Sequence, residues 1–269
     1  MSEPFLQASH RISYCISGQG PHWLVMSHSL GCCKHMWAAQ VEELGKAYRV
    51  LTYDLPGHGE SATTERRGSL DNLAADLLTL LDALEIEKAH FIGISIGGMI
   101  GQVAALTRPE RFHGLVLANT SSQMPASAHP DWQARIAQAR SRDVGSLAGP
   151  SLERWFTPEF RLDHPAVIET LAAQFARTAV LGYVECCEAI MGFSTLDRLP
   201  GLRVPTLVIS GSRDAGAPPA AALALQRQLP NGRLAVIEGA GHLSCIDHPH
   251  EFNTLCGKFL RDLDRAANH

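Results

Sequence analysis

Apolar residues fall along this chain in two alternating rhythms, short nearly continuous runs and longer stretches with three- and four-residue spacing. The runs Trp23-Leu24-Val25-Met26, Arg49 to Tyr53, Ala89 to Ile94, Leu115 to Ala118, Pro205 to Ser210 and Leu234 to Ile237 predict strands, most of them buried on both faces. Helix spacing lies between them: Met36 to Lys46 with Trp37, Val41 and Leu44 on one face, residues 69–86 with a leucine stripe from Leu70 to Leu84, Gly97 to Leu106, Pro218 to Leu229 and His248 to Leu263. Gln7 to Ser17 alternates loosely and ends at Gly18-Gln19-Gly20-Pro21, predicting one or two strands at an antiparallel edge. Strands alternating with amphipathic helices give an α/β class with a mostly parallel, doubly wound sheet, and such sheets bind ligands at the carboxyl ends of their strands.

Between Ser121 and Leu199 the rhythm changes. Strand-like runs stop, and helix-like stretches such as Ile168, Leu171, Ala172, Phe175 and Ala179 follow one another, broken at Pro150, Pro158 and Pro165. The expectation is a core domain over 1–120 and 200–269, with a helical cap over 121–199 inserted after the sixth strand to wall a pocket off from water.

One stretch carries chemistry on its face. In Phe91-Ile92-Gly93-Ile94-Ser95-Ile96-Gly97-Gly98-Met99 a buried strand runs into a serine bracketed by glycines and then into a small-residue helix. Glycine two positions before and after lets strand and helix approach closely, so the backbone strain of the sharp turn lands on Ser95. That is a Gly-x-Ser-x-Gly nucleophile elbow, with the hydroxyl held out at the strand end where the first helix amides also point.

Composition narrows the rest. The 269 residues are 45% apolar and 19% charged, an ordinary globular mix, and the net charge of -4 offers no basic patch for nucleic acid or anionic lipid. No secretory leader is expected from Met1 to Arg11, and no apolar run reaches membrane length. The seven cysteines include two adjacent pairs and no Cys-x-x-Cys, which argues against a disulfide framework or a zinc site and for reduced thiols in the cytoplasm. His28, Cys32, Cys33 and His35 are the nearest thing to a metal cluster, and no second ligand pair stands at a familiar spacing. No Gly-x-Gly-x-x-Gly or phosphate loop follows a strand, so neither a metal nor a cofactor is expected.

A serine needs a base and the base needs a carboxylate. Asp214 follows the strand Thr206 to Ser210, and His242 follows the strand Leu234 to Ile237, so both lie on loops at the same sheet edge as Ser95. The order Ser95, Asp214, His242 is the one expected for a triad on such a sheet. His248 and His250 are rivals for the base but fall at the start of the last helix, where Asp247 reads as its capping acid. Backbone donors for an oxyanion are expected from Ile96, just after the nucleophile, and from Leu30, in the loop after the Trp23 to Met26 strand.

His28-Ser29-Leu30-Gly31, Asp54-Leu55-Pro56-Gly57-His58-Gly59-Glu60-Ser61, the elbow and Gly241-His242-Leu243-Ser244 resemble the α/β-hydrolase fold nearly end to end. Arg154-Trp155-Phe156-Thr157-Pro158-Glu159-Phe160 and Cys186-Cys187-Glu188-Ala189-Ile190 add a finer resemblance to 3-oxoadipate enol-lactonases of aromatic catabolism. The resemblance implies a serine hydrolase that opens an enol-lactone through an acyl-enzyme. It places Ser29, Arg154 and Trp155 at the substrate, Arg154 as the cation for a free carboxylate and Trp155 shaping the pocket. The implied partner is a small carboxylate-bearing lactone or ester, for a monomer or a homo-oligomer, with no nucleic acid and no membrane. Two stretches depart from the family pattern, Asp214-Ala215-Gly216-Ala217-Pro218-Pro219 and Ser244-Cys245-Ile246-Asp247. A hydrolase of carboxylic esters or carbon-carbon bonds, or an acyltransferase or perhydrolase, would share the same triad.

Overall fold

The computed structural model describes residues 5–7, 11–63 and 65–267. The edge strands are β1 (Phe5–Gln7) and β2 (Arg11–Ser17); residues 8–10 of the expected edge lie outside the described set. After them come β3 (His22–Ser27), α1 (Ala38–Leu44), β4 (Tyr48–Tyr53), α2 (Leu70–Ala83), β5 (Ala89–Ile94), α3 (Ile96–Thr107) and β6 (Phe112–Ala118). The helices α4 (His129–Ser141), α5 (Ala148–Trp155), α6 (Pro158–Asp163), α7 (Pro165–Ala176) and α8 (Val180–Met191) follow before the sheet resumes. It does so with β7 (Thr206–Gly211), α9 (Pro219–Gln228), β8 (Gly232–Ile237), α10 (Ser244–Asp247) and α11 (Pro249–Ala267).

The strands form one sheet in the order β1-β2-β4-β3-β5-β6-β7-β8, antiparallel at β1 and β2 and parallel from β4 onward. The central strands read as unbroken apolar runs because helices cover both faces: every residue of β5 and β7 is buried. Chain order reverses across the middle of the sheet, so the loops after β3 and β5 open side by side. This is the doubly wound arrangement in which the strand ends form a crevice.

Element ends depart from the sequence pattern where local chemistry intervenes. Met36 to Lys46 is not one helix: Lys34–Trp37 is a 3-10 turn, and α1 begins at Ala38. Ser69 starts α2 by accepting the Asn72 amide at 3.2 Å, and Leu84 and left-handed Glu85 end it short of residue 86. Pro158 and Pro165 open α6 and α7, and Pro150 sits in the first turn of α5, where a missing N–H costs no helical bond. Ala179 does not continue the α7 face; it precedes α8 and donates its amide to Gly57 O at 2.8 Å. Asp247 ends α10, and its carboxylate accepts the Gly241 amide at 2.7 Å, one residue before His242.

The five helices between β6 and β7 lie over the strand ends and are tied to the sheet layer from one side. Arg66 pairs with Asp76 on α2 and, at 2.7 Å, with Glu185 on α8. Beneath them Lys34 and Asp54 form a buried ion pair at 2.9 Å, and Ser61 Oγ donates to Asp54 O at 2.8 Å, which explains the Asp54 to Ser61 motif as a brace between the β3 and β4 exits.

Candidate active site

Ser95 stands between β5 and α3 with φ 56° and ψ −121°, a left-handed backbone forced on a non-glycine residue. Only glycine fits at 97, since a Cβ there would lie 2.1 Å from Ser27 O. The elbow is thereby pressed onto the end of β3. Ser95 N donates to Ala118 O at 3.0 Å and Thr120 Oγ1 donates to Ser95 O at 2.8 Å, so the end of β6 fixes the strained residue.

His242 and Asp214 arrive from the loops after β8 and β7. His242 Nδ1 lies 2.9 and 3.0 Å from the two Asp214 oxygens and Nε2 lies 3.0 Å from Ser95 Oγ. An ionised carboxylate only accepts, so Nδ1 carries the hydrogen and Nε2 is left to accept from the serine. Gly216 and Ala217 amides donate to Asp214 Oδ1 at 2.7 and 2.8 Å. Burial pushes the Asp214 carboxyl up, but the charge and bond of His242, the Ala217 amide and Asn119 outweigh it and hold the group below its ordinary value. The family departure at Gly216 is a close contact: a Cβ there would stand 2.8 Å from His242 Nδ1. The rival His248 is taken up by Asp247 at 3.0 Å.

Leu30 lines the pocket beside Ser95, and Ile96 is the first residue of α3, where amides have no intrahelical acceptor. The Leu30 loop is propped from below by His28, whose Nδ1 donates to Ser29 O at 2.8 Å while Nε2 accepts the Leu55 amide at 2.9 Å. Burial holds His28 below its ordinary pKa, in keeping with a neutral ring that donates on one side and accepts on the other. Ser29 Oγ is buried at the pocket without a hydrogen-bond partner.

The pocket is a narrow cleft of about 60 Å³ at Ser95 and His242. Its upper wall comes from α4, α5, α7 and α8. Trp155 packs on Phe175 with ring centroids 5.6 Å apart, and its carbonyl accepts the His242 amide at 2.7 Å, so this wall touches the His242 loop directly. Arg154 borders the pocket at its exposed rim. Sequence reasoning missed its companion: Arg135 also lines the pocket, held by Ser151 Oγ at 3.0 Å and lying over the Trp132 ring at 5.4 Å. Among the described residues neither arginine has a carboxylate within ion-pair distance. Burial and then the like charge of Arg135 hold Arg154 below its ordinary pKa, against the weaker opposing pull of Asp131. Tyr183 is fully buried at the same wall, and its hydroxyl has no oxygen or nitrogen partner among the described residues, only the weakly bonding Cys187 thiol beside it. The available signal was an arginine at 135 on the face that also carries Trp132, Ile136 and Ala139.

No helix among the described residues is long and apolar enough to cross a membrane. No disulfide joins the cysteines, and burial pushes the thiols of Cys32, Cys186, Cys187, Cys245 and Cys256 above their ordinary value.

Residues 22–249 match a family model described as the alpha/beta hydrolase fold. The chain is 35% identical over 90% of its length, and 90% of the relative's, to 3-oxoadipate enol-lactonase 2 of Acinetobacter baylyi. It is 32% identical to the putative carbamate hydrolase RutD of Stutzerimonas stutzeri, over 86% of this chain and 89% of that one. Among solved structures, the enol-lactonase from Burkholderia xenovorans LB400 superposes with a TM-score of 0.91 at 34% identity, covering 96% of this chain and all of the other, 100%.

Proposed function

Since this chain belongs to the alpha/beta hydrolase fold family, we propose that it is a serine-dependent lactone hydrolase whose substrate is an enol-lactone carrying a free carboxylate, as in 3-oxoadipate enol-lactone. The carrying observation is the Ser95–His242–Asp214 hydrogen-bond chain, which opens at Ser95 and His242 into a cleft that two arginines also line, neither with a carboxylate within ion-pair distance among the described residues. The enol-lactonase relatives supply the ring.

In this reading Ser95 Oγ attacks the lactone carbonyl as its proton passes to His242 Nε2, and Asp214 stabilises the resulting imidazolium through Nδ1. The oxyanion that forms is held by the Leu30 and Ile96 amides. The carbonyl–ring oxygen bond breaks, and the ring oxygen leaves as an enol after taking the His242 proton, which makes it a good leaving group. Water then gives a proton to His242 and attacks the acyl-enzyme, Ser95 recovers its proton, and the freed enol tautomerises to the 3-oxo acid. Arg135 and Arg154 hold the carboxylate that remains outside the ring, while Ser29 and Trp155 bound the acyl portion.

The test is steady-state hydrolysis of 3-oxoadipate enol-lactone beside a short p-nitrophenyl ester, with wild type and Ser95→Ala. The expected result is a lactone kcat/KM of about 10⁴ M⁻¹s⁻¹ or more that disappears in the variant. Cleavage of the ester alone, dependent on Ser95, would keep the serine mechanism and reject the lactone. Equal rates in wild type and Ser95→Ala would reject both.

A further inference from the structure

The end of β6 meets Ser95, Asp214 and the residue before His242, and one side chain there has no part in the steps above. Asn119 is fully buried with φ 47°, the left-handed region that asparagine tolerates better than most residues. Its Oδ1 accepts from Ser244 Oγ at 2.5 Å, which settles the orientation of the amide. Nδ2 is thereby turned toward Asp214 Oδ2 at 3.0 Å and Gly241 O at 3.1 Å. One hydrogen goes to the carboxylate loop and the other to the histidine loop. Its own backbone amide donates to Ile209 O on β7 at 2.8 Å.

We infer that Asn119, oriented by Ser244, is a positioning residue: it sets the Asp214 carboxylate and the His242 loop in register with Ser95. The geometry requires a donor at this place. Asp214 Oδ1 is taken by two backbone amides, and Oδ2 faces both His242 and Asn119, so without Nδ2 one buried oxygen keeps only the imidazole as a partner. The carboxylate would then be anchored through Oδ1 alone, and its tilt against the imidazole would be less closely fixed. Asp247, the other acid near this loop, is occupied by the Gly241 amide and by His248. Asparagine alone among small side chains donates to both loops while accepting from Ser244 and tolerating the left-handed backbone.

This rests on the serine-hydrolase reading above. The experiment uses p-nitrophenyl ester hydrolysis normalised to the serine titre from a fluorophosphonate label, in wild type, Asn119→Gly and Ser244→Ala. Glycine accepts φ 47° without strain, so Asn119→Gly removes the amide alone. The expected result for Asn119→Gly is a kcat about tenfold to a hundredfold lower with KM within twofold of wild type. The acidic limb of its pH–rate profile should move to higher pH, because a carboxylate that has lost a donor is more basic and holds the imidazolium proton harder. Ser244→Ala, which frees the amide to turn, should fall between the two. A kcat per titrated serine within twofold of wild type and an unmoved limb would overturn the inference, even if the variants melt earlier, since a purely structural role lowers the titre and not the profile. Wild type that neither labels nor hydrolyses through Ser95 would remove the serine-hydrolase reading itself, and this inference with it.

Discussion

The floor and the ceiling of the pocket are built on opposite principles. On the floor, at the strand ends, Asp214, His242 and Asn119 satisfy one another and the surrounding amides within the protein, at 2.5 to 3.1 Å. On the ceiling, in the helices between β6 and β7, Arg135, Arg154 and the Tyr183 hydroxyl gather around one space, and among the described residues no carboxylate comes within ion-pair distance of either arginine. A finished network fixes geometry, and an unfinished one is completed by what binds. On the proposed function, the chemistry is a property of the sheet, and the choice of substrate a property of the helices above it.

The sharpest way to break this comparison is to damage the floor and ask whether the substrate matters. Asp214→Asn keeps the shape but offers His242 Nδ1 an amide, which favours the wrong imidazole tautomer. The expected loss in kcat is about 10⁴-fold, and it should be equal for a carboxylate-bearing lactone and an uncharged ester. A loss confined to one substrate would show that floor and ceiling are not separable.

Damage to the ceiling should discriminate. Replacing Arg135 by Gln, or Arg154 by Gln, removes a charged donor from a partly solvated site, and each change should lower kcat/KM on the carboxylate-bearing substrate about tenfold to a hundredfold. The neutral p-nitrophenyl ester should respond by less than threefold to either. Equal losses on the two substrates would mean that the arginines support the fold of the upper wall and do not hold an anion.

The same division decides what was legible in the sequence. The floor follows from periodicity: buried runs mark the strands, each chemical residue sits just past one, and Gly93, Ser95 and Gly97 have a single steric solution. Ser95, Asp214 and His242 could be chosen from many serines, acids and thirteen histidines because strand ends are visible as the places where apolar runs stop. Asn119 was hidden despite lying at such an end, since its role depends on Ser244, 125 residues away. The ceiling gave little away. Helices α4, α7 and α8 are only weakly amphipathic, and what Arg135 faces is set by how α4 lies against α5 and α8, a tertiary fact with no local pattern. Arg154 and Trp155 were found through a family motif; Arg135 and Tyr183 have no such motif and were missed.

The finest test of an unfinished ceiling is a single oxygen atom. Tyr183 lies within a wall that excludes solvent, and its hydroxyl meets only the Cys187 thiol, a weak partner that offsets little of the about 1 to 3 kcal/mol that an unsatisfied buried hydroxyl costs. Tyr183→Phe should therefore leave the melting temperature unchanged or raise it, since the ring contact with Phe175 at 5.7 Å remains and the stranded hydroxyl is gone. The carboxylate-bearing substrate should nonetheless lose about threefold to tenfold in kcat/KM, with the neutral ester unaffected. A drop in melting temperature alongside equal losses on both substrates would place the hydroxyl in the fold's own bonding, through the Cys187 thiol one turn along α8. Stability and selectivity moving in opposite directions is the signature that separates a donor kept for a ligand from one kept for the fold.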